Sequence, residues 1–435
     1  MNPRVVITGL GVVSPIGIGI EQFWSAALEG RSGVRRIPPF EGLPLEAYRS
    51  QVAAQVRDFD PRRWLDATQA ERIDRYAQFA LVATREALDD AGLRLEREKA
   101  HRVGVMVGAG MGGMLIGEQE FTKLYQGLRP NRVHPNFIPM ITLNSASGII
   151  AIAHGAKGPN LTISTACSSS AHAIGQALAC IRSGQADVMI TAGADASVTP
   201  LAFAGFCSLR ALSTAFNEAP ERASRPFDRH RDGFVMGEGA GVLILESLPH
   251  ALARKARIYA EVAGYAATSE AYHMVVPRED GAEVAVTMQL ALRDAGVAPA
   301  QVDYINAHAT STPIGDPVEV TAIRRVFKRR ADRMLVNATK SLIGHSLGAA
   351  GAMGAIVCAL SLQTGQVHPS LNYDDPDPAC ALDGISSKVQ ERPLEVALMN
   401  AFGFGSNNAA LVFKQAPARH PVRRRRSRST DMRST

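Results

Sequence analysis

Apolar and polar positions change period repeatedly along this chain. "HRVGVMVG" (101–108), "ADVMITAGAD" (186–195) and "GAGVLILES" (239–247) are short runs rich in Val, Ile and Leu, and each predicts a strand. "RYAQFALVATREALDDAG" (75–92) places its apolar residues at helical spacing and ends on a glycine, which predicts a helix with a left-handed cap. "AEVAVTMQLALRDAGVAP" (282–299) repeats that design, with the same "DAG" stop. Each helix is followed by a strand-like run, "HRVGVMVG" after the first and "VDYINAH" (302–308) after the second. Strands and helices alternate throughout, so the fold class is α/β. The repeated design implies two similar halves meeting near residue 255.

The opening stretch, "MNPRVVITGLGVVSPIGIG", has one Arg before apolar residues, the outline of a secretory leader. Its β-branched run Val5-Val6-Ile7-Thr8 and its Gly and Pro punctuation predict a strand and a turn instead. No apolar run is read as a membrane span of about 20 residues, and no membrane contact is expected.

Composition adds limits. The 435 residues are 46% hydrophobic and 20% charged, enough apolar surface for a large soluble core. Five cysteines, an odd number in a long chain, do not make a disulfide framework and imply a reducing, cytoplasmic setting. The formal charge is +6, and the segment from Pro417 to the end, "PARHPVRRRRSRSTDMRST", is basic and nearly without apolar residues. Residues 417–435 therefore read as a disordered, solvated tail. Contact of that tail with nucleic acid, a membrane surface or an acidic partner is the competing reading.

Candidate chemistry begins with "LTISTACSSSAHAIGQAL" (161–178), where alternation gives way to helical spacing at Cys167. At a strand-to-helix joint the backbone N–H groups point outward and the helix dipole is positive, so a thiol there is expected to lose its proton more easily. A small buried hydrophobe is the competing explanation. His308 sits in "NAHATSTPIGDPVE" (306–319), a hydroxyl-rich loop after a strand, where α/β sheets place their ligands. A structural histidine competes. "NATKSLIGHSLGAAGAMGAIVCAL" (337–360) brings Lys340 and His345 before a small-residue helix suited to close packing. "NAFGFGSNNAALVF" (400–413) is a Gly-Phe-Gly turn leading into a strand. "GAGMGG" (108–113) matches the dinucleotide pattern, but no acidic partner is placed for it, and a tight turn beside a ligand channel is preferred. One Cys and two His on such loops suit thioester acyl transfer: the Cys accepts the acyl group, and two imidazole N–H donors hold a carbonyl oxygen as charge develops.

In these motifs the sequence resembles the β-ketoacyl-acyl carrier protein synthases, particularly the type II elongating enzymes of bacterial fatty-acid synthesis. "VVITGLGVVSPIG", "TACSSSAHAIGQAL", "ASRPFDRHRDGFVMGEGAG", "AHATSTPIGD", "KSLIGHSLGAAG" and "NAFGFGSNNAALVF" stand in family order, and the resemblance covers about residues 3–415. It implies a thiolase-like fold of two duplicated halves in five αβαβα layers, usually a homodimer. Residues 1–255 would carry the nucleophile, and residues 256–416 the two His and the Lys.

The resemblance implies Cys167 as nucleophile, His308 and His345 as the pair that assists decarboxylation of a malonyl thioester, and Lys340 as the group that polarises them. Lys340 would pair with Glu319 or be held near Asp316. The N–H groups of Cys167 and Phe404 would form the oxyanion hole, with Phe404 also the gate. Thr310 and Thr312 would bind pantetheine, and Met111, Phe206 and Phe402 would line the acyl pocket. Arg72, Arg132 and Arg210 would dock an acidic acyl carrier protein. No metal and no cofactor are expected, the substrates being carried on phosphopantetheine.

There are departures from the family pattern. Its GFGGTN loop reads "GFGSNN", with Ser406 and Asn407; Val275 replaces a common threonine; and Glu71 stands where a basic residue is usual. A specialised paralogue serving a secondary or polyketide product is the alternative. A non-catalytic chain-length-factor partner would lack Cys167, and an initiating synthase would carry Asn in place of His345. A degradative thiolase would show a second reactive cysteine.

Overall fold

The runs that predict strands and helices all form them in the computed structural model, which describes residues 3–127 and 129–416; the basic segment 417–435 lies outside the described residues. Ten strands carry the architecture: β1 (Val5–Ser14), β2 (Val103–Gly108), β3 (Asn160–Ile163), β4 (Val188–Asp195), β5 (Gly239–Ser247), β6 (Ala260–Ser269), β7 (Tyr304–Asn306), β8 (Leu335–Asn337), β9 (Val396–Gly403) and β10 (Asn407–Gln415). Their order across one sheet is β8-β7-β9-β10-β6-β1-β5-β4-β2-β3, with the short pair Gly17–Ile18 added to β1. Outward from the centre, β1-β5-β4-β2-β3 and β6-β10-β9-β7-β8 have the same order and the same parallel and antiparallel senses. The halves meet edge to edge at Val6↔Glu261 and Ile7↔Ala260.

Helices repeat in step. α1 (Arg75–Ala91) and α2 (Ser145–His154) cover the outer face of the first half, and α4 (Ala282–Asp294) and α5 (Gly315–Phe327) that of the second. Between the halves lie α3 (Ser169–Arg182) and α7 (Ala350–Thr364). The layers are therefore helix, sheet, central helices, sheet, helix. Asp74 caps α1 by accepting the Tyr76 N–H, and Gly92 ends it at φ 59°, the glycine stop that the sequence pattern predicts. Three apolar clusters follow the layers. Ile174 and Leu178 of α3 meet Ile356 and Leu360 of α7 at the centre, Phe79 of α1 packs with Val105 and Ile190, and Met288 of α4 packs with Ile305 and Leu398. Each such side chain contributes about 1.5–3 kcal/mol by burial.

The small residues of α7 permit its approach to α3: a Cβ on Gly351 would lie 2.7 Å from the Ala171 nitrogen. That contact brings the starts of both central helices together. Two sequence expectations change here. The stretch Leu347–Thr364 is apolar and long enough to cross a membrane, but 83% of it is buried within the protein, so it is the core helix. The alternating run before Cys167 is a sheet edge rather than a half-buried strand, and Leu161 on it is exposed.

Candidate active site

Cys167 stands just before α3, in a turn where Ala166 takes φ 53°, a left-handed conformation costly for a residue with a Cβ. The serines after it hold that turn. Ser168 Oγ donates to the Thr165 carbonyl at 2.8 Å, Ser169 Oγ to the Ala166 carbonyl at 2.6 Å, and Ser170 Oγ accepts the Ala352 N–H at 2.9 Å. The last bond ties α3 to α7. From the other half, Gly403 packs so tightly that a Cβ there would lie 2.4 Å from the Thr165 carbonyl oxygen. This approach brings the N–H of Phe404 toward the sulfur, where it and the N–H of Cys167 itself favour the thiolate.

Burial nevertheless dominates the thiol, which is pushed up to about 11 against the pull of Lys340 and those N–H groups. The expectation of an easily ionised thiol is corrected. Its error was to weigh the helix start, a local effect, without the desolvation that the tertiary fold imposes.

His308 follows β7 in a loop that two buried carboxylates shape. Glu319 Oε1 accepts the His308 N–H at 2.9 Å and Oε2 the Ala309 N–H at 2.8 Å, while Asn400 Nδ2 donates to Oε1 at 2.9 Å. Asp316 accepts the N–H of Ser311 at 3.1 Å and of Phe227 at 2.9 Å. Ala309 and Ser311 adopt φ 37° and φ 68°, so the carboxylates hold strained backbone.

Lys340 begins α6 (Lys340–Ile343) and reaches His308, not the carboxylates: Nζ donates to the His308 carbonyl at 2.5 Å and stands 3.5 Å from Nδ1. The expected ion pairing with Glu319 or Asp316 is therefore replaced. Both carboxylates spend their oxygens on loop N–H groups, and they act on Lys340 only through charge. Burial lowers the Lys340 ammonium to about 8.

The His308 and His345 rings stand perpendicular with centroids 5.5 Å apart, and the Phe234 and Phe402 rings meet them edge-on. His345 is 2% exposed and neither ring nitrogen has a partner among the described residues. Burial, reinforced by the Lys340 charge, holds both imidazoles well below the usual histidine range. Both are thus neutral near pH 7, and each offers one N–H donor.

Cys167, His308 and His345 line one cavity of about 360 Å³ with Phe402, Phe404 and Phe206. Thr310 and Thr312 also line it, their hydroxyls 3.1 Å apart, as does Val275. Met111 packs against the apolar cluster that includes Cys167, as Phe206 does, and Asp195 accepts its N–H at 3.0 Å. Arg210 is exposed and borders the cavity; Arg72 is exposed beside a separate hollow with Ile149 and Ile152, and Arg132 is exposed on a short turn. The turn after β9 is tied down: Ser406 Oγ donates to the His273 carbonyl at 3.0 Å and the Gly405 N–H to the Met274 carbonyl at 2.7 Å.

Sequence reasoning missed Asp195, Phe234 and Asn400. Asp195 is fully buried and accepts the N–H groups of Gly110, Met111 and Gly348, joining the glycine loop of the first half to the turn after His345. A carboxylate ending the apolar run "VMITAGAD" was the available signal. The arrangement as a whole offers a nucleophile beside two N–H groups and two neutral imidazoles that line the same largely apolar cavity. That is the equipment of a thioester-condensing acyltransferase.

Comparison with known proteins agrees. The family model "Beta-ketoacyl synthase, N-terminal domain" matches residues 2–251, and "Beta-ketoacyl synthase, C-terminal domain" matches residues 259–374. The chain belongs to the β-ketoacyl synthase family. It is 44% identical over 412 residues to 3-oxoacyl-[acyl-carrier-protein] synthase 2 of Coxiella burnetii, covering 95% of this chain and 98% of that protein. It is 44% identical over 417 residues to the protein of the same name from Staphylococcus aureus, covering 96% and 99%. Among solved structures, a type II PKS ketosynthase in complex with its acyl-carrier protein (AntDE:AntF) superimposes with TM-score 0.89 at 35% identity, over 96% of this chain and all of that one. The ishigamide ketosynthase/chain length factor gives 0.86 at 37%, covering 96% and 100%.

Proposed function

We propose that this protein is a β-ketoacyl-acyl carrier protein synthase that extends fatty-acyl chains by decarboxylative condensation. The observation that carries the reading is the meeting of Cys167 with two neutral imidazoles in one cavity. The 44% identical relatives named 3-oxoacyl-[acyl-carrier-protein] synthase 2 support it, as does the neighbouring ketosynthase bound to its acyl-carrier protein.

In the first half-reaction the Cys167 sulfur attacks an acyl thioester, its proton leaves with the carrier thiol, and the oxyanion is held by the N–H groups of Cys167 and Phe404. Malonyl carrier then enters and its carboxylate leaves as CO2. The electron pair passes to an enolate whose oxygen the His308 and His345 N–H groups hold. The enolate carbon attacks the acyl-Cys carbonyl, expels the Cys167 thiolate, and yields the β-ketoacyl carrier and, after protonation, the free thiol. Thr310 and Thr312 hold the pantetheine arm, and Lys340, Glu319 and Asp316 fix the imidazoles. Phe206, Phe402 and Met111 line the acyl space. No cofactor takes part.

Arg210 at the cavity, with Arg72 and Arg132, receives an acidic carrier. Two copies pair through β3, a sheet edge bearing exposed Leu161. The five unpaired cysteines suit a cytoplasmic setting. A polyketide or other secondary chain is the second reading, favoured by the type II PKS neighbour.

The test is direct. Purified protein is given acyl carrier and malonyl carrier, and mass spectrometry follows the acyl adduct and the β-ketoacyl product. An adduct on Cys167 and a product two carbons longer are expected. Absence of both contradicts the reading.

A further inference from the structure

Asn408 has a buried hydrogen-bond donor that no group among the described residues employs. The residue lies on β10, paired with Phe402 of β9 on one side and Thr268 of β6 on the other. It is 2% exposed, it lines the cavity, and its Nδ2 has no acceptor among the described residues. Polar groups that border it bond elsewhere, Glu270 through one oxygen only. The Thr268 hydroxyl pairs with that of Thr287 at 2.6 Å, Glu319 receives three N–H donors, and Glu270 accepts the Arg278 N–H at 3.0 Å. Buried donors are ordinarily satisfied, because an unmade bond costs more than a made one gains. Because Asn408 lines the cavity, rotation of its amide presents this donor to what enters there.

We infer that Asn408 binds substrate: its side-chain N–H donates to a carbonyl oxygen of the thioester, or of the arm that bears it. This rests on the condensing reading above. Cross-strand partners share a face of the sheet, so Asn408 lies beside Phe402, whose ring packs against His308 with centroids 5.3 Å apart. The amide N–H carries no charge, so the acceptor it suits is a neutral carbonyl oxygen. Both a thioester carbonyl and the amide carbonyls of a pantetheine arm meet that requirement.

The experiment compares the full-length protein with Asn408→Leu, similar in shape and without polar atoms, and Asn408→Ala, which cannot clash. Each is acylated by acyl carrier, by an acyl thioester of free pantetheine, and by an acyl thioester of a plain alkanethiol, with the Cys167 adduct measured by mass. The KM for acyl carrier is expected to rise about tenfold in both variants. Their melting temperatures are expected to equal or exceed that of the parent, because no internal hydrogen bond is lost. A rise shared by the pantetheine thioester but not the alkanethiol thioester assigns the acceptor to an arm amide; a rise with all three assigns it to the thioester carbonyl. An unchanged KM with every substrate, or one that rises only alongside a lowered melting temperature in both variants, overturns the inference and makes Asn408 structural. A parent protein that takes no acyl group from any donor overturns the condensing reading and this inference with it, an outcome distinct from the others.

Discussion

The Lys340 ammonium sits 3.5 Å from the His308 ring nitrogen Nδ1 while bonding that residue's own carbonyl. A cation so placed disfavours a second positive charge, so it adds to burial in keeping the imidazole neutral. Replacing it by Met should raise the His308 pKa toward the ordinary value, a shift that NMR titration of the ring would register. Malonyl decarboxylation should fall by about 100-fold, as when one preorganised partner of a transition-state charge is lost. An unmoved His308 titration would refute the coupling.

Cys167 should react slowly at neutral pH. With its thiol pushed up to about 11, alkylation by iodoacetamide should quicken about tenfold per pH unit from 7 to 9, since the thiolate is the reactive species. A plateau before pH 8 would show that the two N–H groups and Lys340 outweigh burial. Cys167→Ala should take up no acyl group, while Cys167→Gln should still release CO2 from malonyl carrier.

Much of this chemistry could be read from the chain, and the part that could not has a common cause. Cys167, His308, Lys340 and His345 each sit within a local motif, and helix stops such as Gly92 depend on the residues beside them. The acidity of the thiol and the partner of Lys340 depend instead on residues distant in sequence. Asp195 joins loops 85 and 153 residues away, and no local pattern reports such a bond. The alternation that made β3 look half-buried was real, but only the sheet order shows that it is an edge.

His308→Ala and His345→Ala should each slow malonyl decarboxylation by about 100- to 1000-fold, the usual loss on removing one donor from a developing oxyanion. Cys167 acylation should persist in both, because its oxyanion is held by backbone groups. Release of CO2 at the parent rate by either variant would remove that histidine from the proposed mechanism.

Gly403→Ala tests the closeness of the two halves. The added methyl would lie 2.4 Å from the Thr165 carbonyl oxygen and 3.2 Å from the Cys167 nitrogen, so Phe404 must retreat from the sulfur. Acylation should drop at least about tenfold, and stability by about 1–3 kcal/mol, the range for overpacking. Denaturant titration beside the acylation assay would measure both. Parent-like acylation would show that the Phe404 N–H is dispensable.

Arg210→Glu should raise the KM for acyl carrier several-fold and flatten its dependence on salt, since Arg210 alone of the three docking candidates borders the cavity. Exposed charges are screened over about 8 Å at physiological ionic strength, so the contrast should be greatest in dilute buffer. Equal salt dependence in the variant and the parent would place docking elsewhere.

The repeated strand order has a further meaning. Each half supplies a central helix, yet the nucleophile precedes only the first and the imidazoles lie only in the second. Two copies of one architecture have thus divided a labour that neither performs alone, and the seam between them is where the reaction would occur. A substitution in the packing of α3 on α7, far from any reacting atom, would alter the reach from sulfur to imidazole before it unfolded anything. Selection for activity in this chain is therefore also selection on how its halves fit.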